Sequence, residues 1–201
     1  MIRSLTSLAS MALMVALLAG CAAKTLTPDE PLENLGDYKL GHNIVIAPKV
    51  KKGPVSREAS KEEWTTALTA ELAERFERYD GEKLYHFGIS VEGYLLAPKG
   101  VPLVYSPKSA LILNVTIWDD AKGRKLNDKP HQMTIFEDTE TDSPLVGSGH
   151  SRTKEEQIEM LSFNAARAIE KWMAEQHEDH GWFTDSPTFN PPEKKRETGD
   201  F

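Results

Sequence analysis

The tetrapeptide Leu18-Ala19-Gly20-Cys21 closes an apolar run and holds the chain's only cysteine. That spacing suits one reaction. Small residues at Ala19 and Gly20 let the peptide lie extended in a lipoprotein signal peptidase, and the thiol behind them takes a thioether-linked diacylglycerol. Arg3 supplies the positive n-region, and Leu5 to Leu18 is too short to cross a bilayer as a mature helix. The expectation is a lipoprotein signal peptide over residues 1–20, with Leu5 to Ala19 as a helix detached from the domain, and lipidation at Cys21. Each buried acyl CH₂ contributes about 0.8 kcal/mol, so two or three chains make dissociation negligible. With its thiol modified the chain has none left for a disulfide, and stability must come from a packed core.

Three other groupings could do chemistry, and each reads more simply as structure. His177-Glu178-Asp179-His180 places two imidazoles three residues apart, on one face if helical, but offers no third ligand. No metal is expected there. Gly147-Ser148-Gly149-His150-Ser151 could offer backbone N–H groups to an anion. It lacks the P-loop lysine spacing, is followed by Glu155 and Glu156, and does not fit Gly-x-Ser-x-Gly, so it reads as a connection. Asp119, Asp120, Glu137 and Asp138 gather around a hairpin, where solvated acids are ordinary; acid–base work would need a pocket that separates their pKa values. The expectation is no catalytic residue, no metal and no cofactor: not an enzyme.

The elements that must carry these residues follow from periodicity. Ala22 to His42, with Pro28, Pro31 and Gly36, reads as the flexible tether of a lipidated segment 21–42, spanning roughly 25 Å on average. Asn43 to Ala47 is a short strand stopped by Pro48. Ser60-Lys61-Glu62-Glu63 is a capping box, and Trp64, Leu68, Leu72, Phe76 and Tyr79 form one helical stripe ended by Asp80-Gly81. Glu71, Glu74, Arg75, Glu77 and Arg78 fall on the opposite, solvated face. Phe87, Ile89 and Val91 alternate within a strand from His86 to Leu96. Ala110 to Asp119 is the strongest strand, with Leu111, Leu113, Val115 and Ile117 on one face. A turn at Asp120 to Gly123, with Gly123 suited to positive φ, leads to a hairpin partner at His131 to Asp138. Thr153-Lys154-Glu155-Glu156 caps a second helix whose stripe is Ile158, Leu161, Ala165, Ile169 and Trp172 or Met173.

The order is β-α-β-β-β-α. It predicts an α+β fold with two helices on one face of a mostly antiparallel four-stranded sheet, because that packing hides both stripes. The folded domain is expected over 43–177, and a polar, mostly disordered tail over 178–201.

Charge narrows the partners. The chain has 24 Lys+Arg against 31 Asp+Glu, a net charge of −7. That argues against nucleic acid and against a polybasic grip on anionic lipid, leaving the membrane to the anchor at Cys21. Three apolar groups could meet a protein partner. The loop Ala97 to Pro107 carries Val101, Leu103, Val104 and Tyr105, which either close over the core or form a lip. Trp182 and Phe183 either tuck back or anchor a partner. Ile112, Trp118 and Phe136 would make the second sheet face half-apolar if nothing covers it.

The lipobox Leu18 to Cys21, the strand and turn Leu111 to Asp120, and Asn164-Ala165-Ala166-Arg167-Ala168-Ile169 carry a resemblance. The chain resembles small uncharacterised outer-membrane lipoproteins of Gram-negative bacteria. It is similar in element order to the lipoprotein that plugs the lipopolysaccharide-assembly barrel and to the auxiliary lipoproteins of lipid-transporting ABC systems. The barrel-plug group follows its lipid cysteine with a Gly-Phe-x-Pro-Leu-Tyr type segment, where this chain has Ala22-Ala23-Lys24-Thr25-Leu26. Ala22 in place of aspartate, by resemblance to the enterobacterial sorting rule, implies the outer membrane, with the domain facing the periplasm. The resemblance implies a membrane-anchored lipoprotein acting non-catalytically, through protein or lipid contacts in envelope assembly or transport, with an outer-membrane or transport-complex protein as the expected protein partner. The alternative is a periplasmic lipid- or glycan-binding module.

Overall fold

The computed structural model describes residues 31–98, 108–137 and 152–184. Eight elements run in chain order: β1 (Tyr38–Ile46), β2 (Lys51–Lys52), α1 (Lys61–Phe76), β3 (Lys83–Leu95), β4 (Ala110–Asp119), β5 (Arg124–Lys125), β6 (His131–Phe136) and α2 (Lys154–His180). The sheet has six strands rather than four, because β2 and β5 are two-residue strands too short to show a period. β1 and β2 lie end to end along one edge of β3, both parallel to it, and Pro48 between them has no N–H for the ladder. β4 pairs antiparallel with β3, and its other side is shared by β5 and β6. The parallel β1–β3 pair follows from the helical crossover between them.

Alternation decides which sheet face is inside. Leu111, Leu113, Val115 and Ile117 are fully buried, as are Tyr85, Phe87, Ile89 and Val91 on β3. The helices cover this face, α1 over β1 and α2 over β6. Trp64, Leu68, Leu72 and Phe76 of α1 are inaccessible to solvent, each stabilising the fold by about 1.5–3 kcal/mol. Both caps form as full capping boxes: Ser60 accepts from Glu63 N–H, and Thr153 from Glu156 N–H. The helices run parallel. Lys154 at the start of α2 pairs with Glu63 at the start of α1, and Arg75 near the end of α1 pairs with Glu170.

The outer face of α1 is less solvated than its pattern predicts. The Arg75 guanidinium is pulled into the helix layer, where two of its nitrogens meet Glu170 Oε2 at 2.5 and 2.7 Å. The Tyr79 hydroxyl donates to Glu170 Oε1 at 2.6 Å, and burial together with that carboxylate raises its pKa well above the usual range. Glu71 is half-buried; desolvation, with Glu74 and Glu159 nearby, pushes its carboxyl up to about 7.

The chain joins the fold earlier than expected. β1 starts at Tyr38, and Leu35 and Tyr38 are core residues, so the stretch 35–42 is part of the domain and not of a tether. Tyr38 stacks on Tyr85 at 5.6 Å and packs edge-on to Phe76 and Phe183. Lys39, Gly41 and His42 mask this strand in the sequence, because a bulge between Leu40 and Asn43 breaks its alternation. The far end is also longer. α2 continues to His180 and stops at Gly181, which takes the left-handed φ of 66° that glycine allows.

Candidate functional site

Both helices lie on the inner face, so any surface on the sheet must be the outer one. Register places Ile44 beside Gly88, Ile46 beside Ser90, Ile112 beside Thr134 and Ala110 beside Phe136 on that side. Ile44, Ile46 and Phe136 are 55%, 50% and 57% exposed, and Trp118 is 39% exposed. No described element packs over them. The anticipated trio of Ile112, Trp118 and Phe136 therefore does share an open face, joined by two β1 isoleucines that periodicity did not single out.

One end of this face is polar. The β1 bulge brings His42 N–H to within 2.8 Å of His86 Nδ1, which accepts from it, while His86 Nε2 donates to Asp120 Oδ1 at 2.9 Å. Only glycine fits at position 41, because a Cβ there would lie 2.2 Å from His86 Nδ1. The His42 ring lies 4.8 Å from that of His86. This is an Asp–His pair in outline: one imidazole nitrogen accepts a backbone N–H and the other holds a carboxylate. Beside it, Trp118 pairs with His86 across the ladder and Lys125 Nζ sits 5.6 Å from its ring.

The other end is concave. A second bulge, between Val91 and Gly93, leaves Glu92 unpaired and sinks Gly93 against Lys51 and Ile112. The result is a cleft of about 600 Å³. Its floor is Gly93, Leu95, Ala110 and Ile112, and its rim carries Lys49, Lys51 and Lys52. Lys52 is paired with Glu58.

The residues singled out from the sequence are scattered. Phe183 is in the core, wedged against Tyr38, Tyr85 and His177, so it has no surface to offer a partner. Trp182 is half-buried against Trp172. His177 donates from Nδ1 to the Trp182 carbonyl at 2.5 Å, which ties it to chain folding rather than to a ligand. Asp119 and Glu137 lie at opposite ends of β4, one held by Lys122 and the other by Arg152 and Ser109 N–H. They do not converge. Cys21, Val101, Leu103, Tyr105, Asp138 and the Gly147 to Ser151 segment lie outside the described residues, as does the helix expected over Leu5 to Ala19. Among the described residues no group of three His, Cys, Asp or Glu is placed to hold a metal, and no helix is long and apolar enough to cross a membrane.

No family model matches this sequence, and no curated protein matches it. Several solved structures are similar in part. A Xanthomonas campestris protein of a domain family of unknown function is 14% identical, with a TM-score of 0.41, over 73% of this chain and 93% of that one. A candidate lipoprotein from Caulobacter crescentus is 18% identical, with a TM-score of 0.33, over 63% and 88%. A minor lipoprotein from Acinetobacter baumannii is 15% identical, with a TM-score of 0.30, over 66% and 94%. At these scores none of them bears on what this chain does.

Proposed function

We propose that this protein is a membrane-anchored envelope lipoprotein that works without catalysis, through contacts made by the outer face of its sheet. The carrying observation is that face itself: five large apolar side chains (Ile44, Ile46, Leu84, Trp118 and Phe136) stand exposed on it, while the helices occupy the opposite side. Isolated exposed apolar residues are ordinary, but a shared face of them marks a contact surface. The lipobox at Leu18 to Cys21 supplies the anchor, and Ala22 favours the outer membrane with the domain in the periplasm. Between Cys21 and Leu35 lie thirteen residues. They reach at most about 45 Å, enough to set the face against a neighbour or the bilayer.

The test is site-specific photocrosslinking in the cell, with the reactive residue at Ile46 or Phe136 and a control at exposed Glu77. The reading expects discrete adducts from the first two positions, none from Glu77, and their loss in Cys21→Ser. Equal adducts from all three sites, or adducts that survive Cys21→Ser unchanged, would overturn it. A second reading, a lipid-binding module, is favoured by one specific feature, the lysine-rimmed cleft.

A further inference from the structure

We infer that the cleft at the β2 end of the outer face binds an anionic phospholipid, with the phosphate on the lysine rim and an acyl chain along the floor. This deepens the lipid side of the reading above and rests on it. Three observations converge. The first is charge. In a chain of net charge −7, three lysines border the cleft and only Glu92 opposes them among its lining residues. Lys52 is neutralised by Glu58, which leaves Lys49 and Lys51 without an ion-pair partner among the described residues. The second is the floor. Leu95, Ala110 and Ile112 present hydrocarbon, and Gly93 presents no side chain at all. Inorganic phosphate would gain nothing from such a floor, and a neutral sugar nothing from such a rim. A head that is anionic and a tail that is apolar use both. The third is size, since about 600 Å³ lies within the 300–1,000 Å³ of small-ligand sites.

The cleft is built by the fold rather than by a chance loop. The bulge at Glu92 drops Gly93 below the sheet surface, and a Cβ there would lie 3.2 Å from the Lys51 carbonyl oxygen. β2 then holds Lys51 and Lys52 in register with Gly93 and Tyr94. The Tyr94 hydroxyl bonds both the N–H and the carbonyl of Ala59, fixing the connection behind them.

The experiment uses the full lipidated chain, purified from membranes and placed in phosphatidylcholine vesicles. The vesicles are doped either with a phosphatidylglycerol bearing a diazirine on one acyl chain or with the matching phosphatidylcholine. Flotation with the vesicles reads the anchor, and peptide mapping of the photolabel reads the cleft, so the two can fail separately. The expected result is phosphatidylglycerol label concentrated on the peptide holding Ala110 to Ile112, at least threefold above the phosphatidylcholine probe. That label should fall at least fivefold in Lys49→Glu/Lys51→Glu, and likewise in Ala110→Phe, which fills the floor without touching the charge. Floated protein with label spread evenly over the sheet, with no preference between probes, or with label unchanged in both variants would overturn the assignment.

Discussion

Arg75 and Glu170 join the two helices through an ion pair that is almost wholly shielded from water. Two guanidinium nitrogens converge on one carboxylate oxygen, and Tyr79 satisfies the other. Such a pair contributes little by comparison with packed hydrocarbon, but removing one member strands a buried charge, at a cost of about 3–5 kcal/mol. Glu170→Ala and Arg75→Ala should each lower the unfolding free energy from urea denaturation by that amount, while the double replacement Arg75→Met/Glu170→Leu should recover most of it. Single variants that unfold at the wild-type midpoint would show the pair to be dispensable.

The raised carboxyl of Glu71 has the opposite sign. Its pKa is 4.5 when unperturbed and about 7 in the fold, so the folded state holds the proton more tightly than the unfolded chain. Its contribution is most favourable below pH 4.5 and is lost as pH rises through 7. Glu71→Gln should therefore leave Tm near wild type at pH 4.5 and raise it at pH 8. The site still sees solvent, which keeps the gain modest. A Tm difference independent of pH would exclude Glu71 as its source.

Gly36 carries two demands at once. Its φ of 59° favours glycine, and a Cβ would lie 2.7 Å from His177 Cε1 and 3.1 Å from the Phe183 carbonyl oxygen. Gly36→Ala should cost at least about 1 kcal/mol from the backbone alone. It should also loosen the end of α2, seen as faster amide exchange at Phe183 and a red-shifted tryptophan emission.

The two capping boxes offer a local comparison. Ser60→Ala and Thr153→Ala should each cost about 1 kcal/mol, measured by denaturant unfolding.

Address is testable apart from structure. Cys21→Ser should abolish incorporation of labelled palmitate, and Ala22→Asp should move the protein into the inner-membrane fraction of a density gradient.

The parts of the fold legible in the sequence are those with a clean period. Leu111, Leu113, Val115 and Ile117 alternate without a fault, and all four are fully buried. The Ser60 and Thr153 caps announce both helices, and Gly123 takes the positive φ its turn requires, 58°. What escaped was written in tertiary contacts. Arg75 looked solvated because its partner stands 95 residues away. Asp80-Gly81 looked like a helix stop, but Gly81 is there because Tyr38 crosses it, with Gly81 N–H on the Tyr38 carbonyl at 3.1 Å. Phe183, in a polar, proline-rich stretch, could equally have tucked back or met a partner, and only its contacts with Tyr38 and Tyr85 decide for the core. The cleft needs a bulge and a two-residue strand, neither of which has a period to read.

The meeting of Gly36 with Phe183 also has a mechanical meaning. Under the proposed lipid anchor at Cys21, every tug of the membrane would arrive at the point where the chain enters the domain. Without support, that tug would peel β1 from the edge of the sheet one rung at a time. Asp37 N–H is instead bonded to the Phe183 carbonyl at 3.1 Å, and His177 stands across Gly36. The pull passes into the end of α2 and is spread along a 27-residue helix seated on the core.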